Sequence, residues 1–276
     1  MELLWDIRVS LDLFLGGLGV GAFLIGAVLF FKDAKIYESL IKKAFILAPI
    51  LVIAGLVLLL SEIGRPFNVI KTLYAVNPAS VMSIGIFLQS AFVAVGLYLA
   101  FVVVSKGIEG ISTQLLSVGS VLAVLVGLYH GFLLTGVGIE SWNSVIPIIF
   151  FLSSIVAGAS LVFLLGIATL ENISTKVSVI INMLLILELA AIFAWAYNLA
   201  ISSTASMEAY KMLMSGFGTE FWVLSILVGL LLPLVLLMLV LFKKVSFKAV
   251  ALPTFITIII GSFFLKNVVV YLGQAV

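Results

Sequence analysis

Residues 10–31 read SLDLFLGGLGVGAFLIGAVLFF, and this stretch decides the fold. A helix of about 20 apolar residues crosses the hydrocarbon core of a bilayer, and Asp12 is the only charged residue in this run. Similar apolar segments recur along the chain, which predicts an all-α integral membrane protein with eight transmembrane helices. The predicted spans are 10–31, 42–61, 80–105, 113–136, 144–170, 177–199, 217–242 and 249–272.

The composition supports this fold class and excludes several kinds of site. Of the 276 residues, 64% are hydrophobic and 9% are charged, whereas soluble domains have about 45–50% and about 25%. Cys is absent and His130 is the single histidine, so this chain by itself holds no disulfide, iron–sulfur cluster, cysteine zinc site or bis-histidine haem. The N-terminal MELLWDIRVS lacks the features of a cleaved signal, and we expect the first helix to be retained.

The placement of lysine and arginine predicts the orientation of the chain. The side that holds the N-terminus has five basic residues: Arg8, Arg65, Lys71, Lys211 and Lys266. The other side has nine: Lys32, Lys35, Lys42, Lys43, Lys106, Lys176, Lys243, Lys244 and Lys248. Because cytoplasmic loops carry the excess of basic residues, we expect both termini and the longer loops 62–79 and 200–216 to be extracytoplasmic. The basic residues occupy short loops, so no nucleic-acid partner is expected.

Ionisable residues within or beside the predicted helices are candidates for function, because charge at membrane depth is costly. Glu62 and Arg65 lie in SEIGRPF, where they either end the helix at the interface or turn inward, with Arg65 paired to Glu62 or to Asp12. Glu188 lies near the middle of the sixth helix. Lys266 lies about six residues before the end of the eighth helix, where it either extends outward to the interface or points inward.

Further candidates occupy the first and fourth helices. Tyr129 and His130 are neighbours in GLYHGFLLTG, and we expect one of the two to face the bundle, either packed with one hydrogen bond or in contact with a ligand. Gly17 belongs to GGLGVGAFLIGA, which follows no strand and is therefore not a dinucleotide loop. Small residues at this density allow close helix packing or the approach of a flat ligand.

Few ionisable side chains occur in the cytoplasmic halves of the predicted helices. Any polar site should therefore lie in the outer half of the membrane, with Glu188 at its floor. The same scarcity predicts that the protein has no proton path of its own to the cytoplasm, although Glu188 could belong to either an outward or an inward path.

Several motifs together resemble the NrfD/PsrC family, the quinone-binding membrane subunits of polysulfide reductase and related respiratory complexes. The matching stretches are LFLGGLGVGAFL, SEIGRPFNVI followed by NPASVMSIG, GLYHGFLL, WNSVIPIIFFLSSIVAGASL, LLILEL, SGFGTEFW followed by LLLP, and GSFFLKNVVVYLGQ. They touch seven of the eight predicted helices in order. The acidic-x-Gly-Arg-Pro motif is the most specific of them.

The resemblance implies an architecture and a set of partners. A single membrane domain, 1–276, would contain two four-helix bundles, at approximately 10–136 and 144–272. The first bundle would bind menaquinone or another quinone near the outer surface. A four-cluster ferredoxin-like iron–sulfur subunit would dock there and, in many relatives, exchange electrons with a molybdopterin catalytic subunit. The protein would then be the anchor and quinone-binding subunit, located in the cytoplasmic membrane.

The resemblance also assigns residues. Glu62 and Arg65 match the acidic and arginine positions of the motif, Tyr129 matches a tyrosine that contacts quinone, and Glu188 matches a common glutamate. His130 stands where Thr is frequent, and Lys266 stands where Arg is expected, which loses the planar guanidinium. The implied quinone site comprises Tyr129, His130, Glu62, Arg65, Asp12, Gly17 and Lys266. Glu188 and Glu62 are the implied proton-transfer residues.

Two other classes of protein compete with this interpretation. A secondary transporter would show inverted repeats and helices broken at the midplane. Possible kinks exist at Pro49, Pro147, Pro233 and Pro253, but they form no paired pattern. A ligand-free membrane anchor would have no need of Glu188 or Lys266 within its helices.

Overall fold

The computed structural model describes residues 5–62, 77 and 80–275, which form helices and turns without a strand. Within these residues, eight helices are long and apolar enough to cross a membrane, which confirms the predicted number. They are α1 (Ile7–Asp33), α2 (Glu38–Glu62), α3 (Val81–Lys106), α4 (Thr113–Thr135), α5 (Ile146–Leu164), α6 (Ser174–Ile201), α7 (Thr219–Leu241) and α8 (Phe247–Leu272).

Three helices occupy the centre of the molecule. In α1, α5 and α8, respectively 67%, 72% and 56% of the apolar stretch is buried, compared with 33% in α2, α3 and α7. The helix α1 packs against α2, α4, α5 and α8, and α5 also packs against α8. The helix α3 lies against α2 and α4, and α7 lies against α6 and α8. Side chains that project between α1, α5 and α8 are therefore shielded from lipid.

Glycines allow two of these helix pairs to approach closely. A Cβ atom on Gly21 of α1 would collide with the backbone of Ser154 in α5, and one on Gly158 of α5 would collide with the backbone of Ala22. A Cβ on Gly229 of α7 would likewise meet the backbone of α8. Without an apolar driving force between helices in lipid, such backbone proximity is a main source of packing energy. It also brings the polar groups of α1, α5 and α8 within reach of each other.

The fifth helix ends earlier than predicted, at Leu164 rather than at residue 170. Lys43 of α2 donates a hydrogen bond from Nζ to the Leu165 carbonyl at 2.5 Å, which satisfies a carbonyl at the helix end. The Leu40 side chain fills the space that a Cβ on Gly166 would need. Short helical turns at Ile167–Leu170 and Glu171–Ile173 then lead into α6.

A further helix, Thr204–Ser215, lies in the segment that was expected to be a long loop. Its start is fixed by a reciprocal capping box, in which the Ser206 amide donates to Ser203 Oγ at 3.0 Å and the Ser203 amide donates to Ser206 Oγ at 2.8 Å. Ala209 and Leu213 are buried on one side of it. This connecting helix is too short to span a membrane.

The two ends of the protein meet on one face of the molecule. The Trp5 amide donates to Gln274 Oε1 at 2.7 Å, and Gln274 Nε2 donates to the Trp5 carbonyl at 3.1 Å. Trp5 stacks on Trp142 with ring centroids 5.2 Å apart, and Trp142 Nε1 donates to the Val269 carbonyl at 2.7 Å. We call this side the terminal face and the opposite side, which carries the nine lysines named above, the lysine-rich face.

Candidate functional site

Buried polar and charged side chains gather where α1, α4, α5, α6 and α8 approach each other, in the half of the molecule nearer the terminal face. Each of them is at most 6% exposed. The members of this central polar cluster are Asp12, His130, Ser153, Ser154, Glu188, Ser262 and Lys266.

Lys266 points inward and is fully buried, which decides between the two directions that its sequence position allowed. Its Nζ donates to the Leu13 carbonyl of α1 at 3.1 Å and to Ser154 Oγ of α5 at 3.0 Å. The ammonium also lies 5.7 Å from the ring centroid of Phe150. A Cβ on Gly17 would overlap both the Lys266 ammonium and the Ser154 hydroxyl, so the glycine leaves the space that the ammonium occupies.

Serine hydroxyls continue this arrangement from α8 toward α6. Ser262, one helical turn before Lys266 on α8, has its Oγ 2.8 Å from Ser153 Oγ on α5. The Ser153 hydroxyl in turn interacts with the Glu188 carboxyl group. Because Ser153 and Ser154 are neighbours, α5 presents one hydroxyl beside Glu188 and the next beside Lys266.

Glu188 and Asp12 supply the two buried carboxyl groups, and each is 2% exposed. Asp12 lies against α2, where a Cβ on Gly55 would stand 2.8 Å from Asp12 Oδ1. This oxygen has no hydrogen-bond partner among the described residues. The charge of Lys266 acts on both carboxyl groups, and the charge of Asp12 also acts on Tyr129. No ion pair joins Lys266 to either carboxyl group among the described residues, so one buried cation acts at longer range on a carboxyl group from α1 and on another from α6.

Tyr129 and His130 are both buried, at 6% and 0% exposure, although one of them was expected to face away from the bundle. The Tyr129 ring fills the space beside Gly85 of α3, and the His130 ring lies beside Gly16 of α1. Neighbouring residues point about 100° apart on a helix, and α4 packs against both α3 and α1, so each ring meets a different helix. Both ring nitrogens of His130 lack a hydrogen-bond partner in the described part of the protein.

Glu62 lies at the rim of the terminal face, where its Oε1 accepts a hydrogen bond from the Asp6 amide at 3.0 Å. Asp6 caps α1, and the Arg8 guanidinium that hydrogen-bonds to it at 2.8 Å holds the pKa of the Asp6 carboxyl below its ordinary value. Arg8 also donates to the Ser61 carbonyl at 2.7 Å, which ties α1 to α2. Arg65 lies outside the described residues.

The charged members of the central polar cluster and His130 were among the residues predicted from the sequence, whereas its serines were not. Ser153 and Ser154 stand in FLSSIVAG and Ser262 in GSFF, where small polar residues are common in membrane helices for packing alone. Among the described residues, no three His, Asp or Glu side chains are grouped as metal ligands. The site is therefore built from hydrogen-bond donors and two carboxyl groups.

The eight apolar helices found among the described residues surround buried charges, which defines a multi-pass membrane protein with buried polar side chains between its helices. The sequence matches the family described as "Polysulphide reductase, NrfD" over residues 1–276, and the protein belongs to that family. It is also similar to the C subunit of polysulfide reductase from Wolinella succinogenes, with 30% identity over 91 residues. That match covers 32% of this protein and 29% of the relative, so it spans less than a third of the relative's length.

Proposed function

We propose that this protein is the membrane anchor and quinone-binding subunit of a respiratory oxidoreductase complex. It exchanges electrons between membrane quinone, either menaquinone or another quinone, and an extracytoplasmic iron–sulfur subunit. Membership of the NrfD family supports this function, as does the similarity to a protein whose name denotes one subunit of a polysulfide reductase.

One observation carries the proposal: three buried hydrogen-bond donors come from α4 and α8, two helices that both pack against α1. A quinone headgroup has two carbonyl oxygens that accept hydrogen bonds. The Tyr129 hydroxyl, the His130 ring and the Lys266 ammonium are donors, and the two His130 ring nitrogens are buried without a partner among the described residues. These residues fit a quinone headgroup, which supplies two-electron, two-proton redox chemistry when it is bound.

The proposed roles follow from the position of each side chain. Tyr129 donates a hydrogen bond to a carbonyl oxygen, and His130 is the alternative donor. Asp12 supplies a buried carboxyl group that acts on both Tyr129 and Lys266. Gly17 leaves the space in which Lys266 reaches α1. Glu188 exchanges protons at the floor of the site.

Glu62 and Arg65 would belong to the mouth of the site at the terminal face. The Glu62 carboxyl group has one oxygen bonded to the Asp6 amide and a second oxygen, Oε2, that is buried without a partner among the described residues. That second oxygen supports its role as the proton-transfer group at the outer surface.

The proposed arrangement places α1–α4 in one four-helix bundle, which binds the quinone, and α5–α8 in a second. The packing of α3 against α2 and α4, and of α7 against α6 and α8, supports this division. The lysine-rich face would be cytoplasmic, so both termini would be extracytoplasmic. A four-cluster ferredoxin-like iron–sulfur subunit would dock on the terminal face of this protein in the cytoplasmic membrane, with a molybdopterin catalytic subunit beyond it.

Removal of the Tyr129 hydroxyl tests the proposed site. In Tyr129→Phe, quinol-linked turnover of the complex should fall about 10- to 100-fold, because a buried hydrogen bond to a reacting group contributes about 1–3 kcal/mol. The activity of the partner subunits with an artificial dye should persist. Tyr98→Phe is the matched control, since Tyr98 is 55% exposed on the outside of α3.

Equal loss of quinol-linked and dye-linked activity in Tyr129→Phe would indicate misassembly. Turnover equal to that of the wild type would remove Tyr129 from the site. Mass spectrometry of lipid extracted from the purified complex gives a second measurement, because bound quinone distinguishes this function from that of a transporter or a ligand-free anchor.

A further inference from the structure

Lys266 connects two parts of the molecule that the proposed function treats separately. From α8 it donates hydrogen bonds to the Leu13 carbonyl of α1, at 3.1 Å, and to the Ser154 hydroxyl of α5, at 3.0 Å. The first contact reaches the helix that carries Asp12, within the proposed quinone site. The second reaches the helix whose neighbouring hydroxyl, on Ser153, interacts with Glu188.

Three titratable groups of the described residues interact electrostatically with Lys266: Asp12 from α1, His130 from α4 and Glu188 from α6. Asp12 in turn interacts with Tyr129. The helix α5 contributes hydroxyl groups, and α7 meets α8 at Gly229. Asp12, Glu188 and Lys266 are each at most 2% exposed, so bulk water does not solvate their charges.

Such burial constrains how many protons the set can hold. An uncompensated charge in a buried site is strongly unfavourable, whereas a balanced set of opposite charges is tolerated. One ammonium and two carboxyl groups are balanced only when one carboxyl group carries a proton. Titratable groups that are coupled through a shared buried charge lose and gain protons as a set rather than one by one.

We propose that Asp12, Lys266 and Glu188 exchange protons as one unit, in which Lys266 is the positioning residue that couples the site in α1–α4 to Glu188 in α6. A proton that leaves one carboxyl group is matched by a proton that arrives at the other. The charge of Lys266 favours one negative charge on the two carboxyl groups together, so the total charge of the cluster is unchanged by the exchange. The coupling involves residues of this protein only and needs no bound molecule. Its use in redox chemistry rests on the proposed function.

Infrared titration of the purified protein tests the coupling without any measurement of turnover. The carboxyl band that disappears in Glu188→Gln identifies Glu188, and its intensity is followed against pH. In Lys266→Met the midpoint of this titration should shift by about one pH unit or more, the size expected when a neighbouring charge is removed. Lys248→Met is the matched control, because Lys248 is exposed on the same helix, and it should leave the midpoint unchanged.

A second variant covers the case in which Lys266→Met does not fold. Glu188→Gln keeps the lysine. The carboxyl band of Asp12 is identified by its loss in Asp12→Asn. The midpoint of its pH titration should shift in the Glu188→Gln protein. The double variant Lys266→Met/Glu188→Gln removes one charge of each sign and should be recovered in better yield than Lys266→Met alone. Midpoints of Glu188 and Asp12 that do not respond to each other's substitution or to loss of Lys266 would overturn the proposal.

Quinone binding, measured on the same samples, separates this inference from the proposed function. Coupled titration without bound quinone would leave the proton unit in place and contradict quinone binding. Bound quinone with independent titration of the two carboxyl groups would contradict the coupling and leave the proposed function intact.

Discussion

Both halves of the molecule bury polar side chains, but the buried charges of the described residues lie in the half nearer the terminal face. There, Lys266 bonds to α1 and α5, and Ser153 and Ser262 continue toward Glu188. Toward the lysine-rich face, buried side chains lack a hydrogen-bond partner among the described residues: Ser160, Ser178, Asn182 and Thr254. Unpartnered buried groups also occur in the half nearer the terminal face, at Ser10, Ser141 and both ring nitrogens of His130. Burial of a polar group without a partner therefore does not mark the candidate site in this protein, whereas buried charge does.

The physical difference between the halves lies in what a substitution would remove. An unpartnered neutral polar group costs free energy to bury, so its loss should be tolerated. A buried charge is held by its counter-charges, so removal of one member leaves the others with the full penalty of burial. Substitutions of matched size in the two halves should consequently act in opposite directions.

Glu188→Leu and Asn182→Leu, both on α6, test this difference with the largest expected effect. Glu188→Leu should destabilise the protein by about 3–5 kcal/mol, because it leaves the Lys266 charge less compensated. Asn182→Leu should be neutral or stabilising, by up to about 1 kcal/mol, because it removes an amide with no partner among the described residues. Thermal unfolding of both variants in detergent measures the change in stability. A similar loss of stability in the two variants would show that the two halves do not differ in this respect.

Gly17→Ala should have the next largest effect, on function more than on stability. The added methyl group would occupy the space of the Lys266 ammonium and the Ser154 hydroxyl, so both must move. Displacement of site groups by about 1 Å can lower turnover by about 100-fold. Quinol-linked turnover of the complex is the measurement. Gly218→Ala is the control, since nothing lies within 4 Å of its added Cβ; equal turnover in the two variants would mean that the position of Lys266 is unimportant.

Hydropathy predicted the eight spans well because their length and apolarity decide them. It does not detect where a helix ends when the sequence beyond that end is still apolar. Residues 165–170 read LGIATL and remain apolar, so the break at Gly166 went undetected. It became visible only through the contacts of Leu40 and Lys43. The connecting helix Thr204–Ser215 was missed because a helix this short does not register as a span.

The candidate residues were identifiable from their rarity, whereas their directions were not. The helices are apolar on nearly every side, so periodicity gives no facing direction for Lys266 or for Tyr129 and His130. Contacts between helices far apart in sequence, such as Lys266 with Leu13, set these directions. The Ser153–Ser262 pair joins α5 to α8 in the same way, which no local pattern indicates.

The smallest expected effect concerns charge movement across the membrane. It tests directly whether the half toward the lysine-rich face carries protons. Turnover of the whole complex in proteoliposomes should build no membrane potential, because protons and electrons would both leave the proposed site on the terminal face. Within the described residues, the buried Asp, Glu and His side chains are Asp12, His130 and Glu188, and none lies in the half toward the lysine-rich face. Asn182 is six residues from Glu188, about 9 Å along the helix, which exceeds a single hydrogen-bonded step.

This prediction separates proton exchange within the cluster from proton transfer across the membrane. Exchange between Asp12 and Glu188 stays in one half of the protein and requires no group in the other half. A membrane potential that builds during turnover and disappears in Glu188→Gln, with quinone binding intact, would show that Glu188 also opens toward the lysine-rich face. The unpartnered side chains of Asn182 and Ser178 would then be the positions to substitute next, because a path from Glu188 along α6 must pass them.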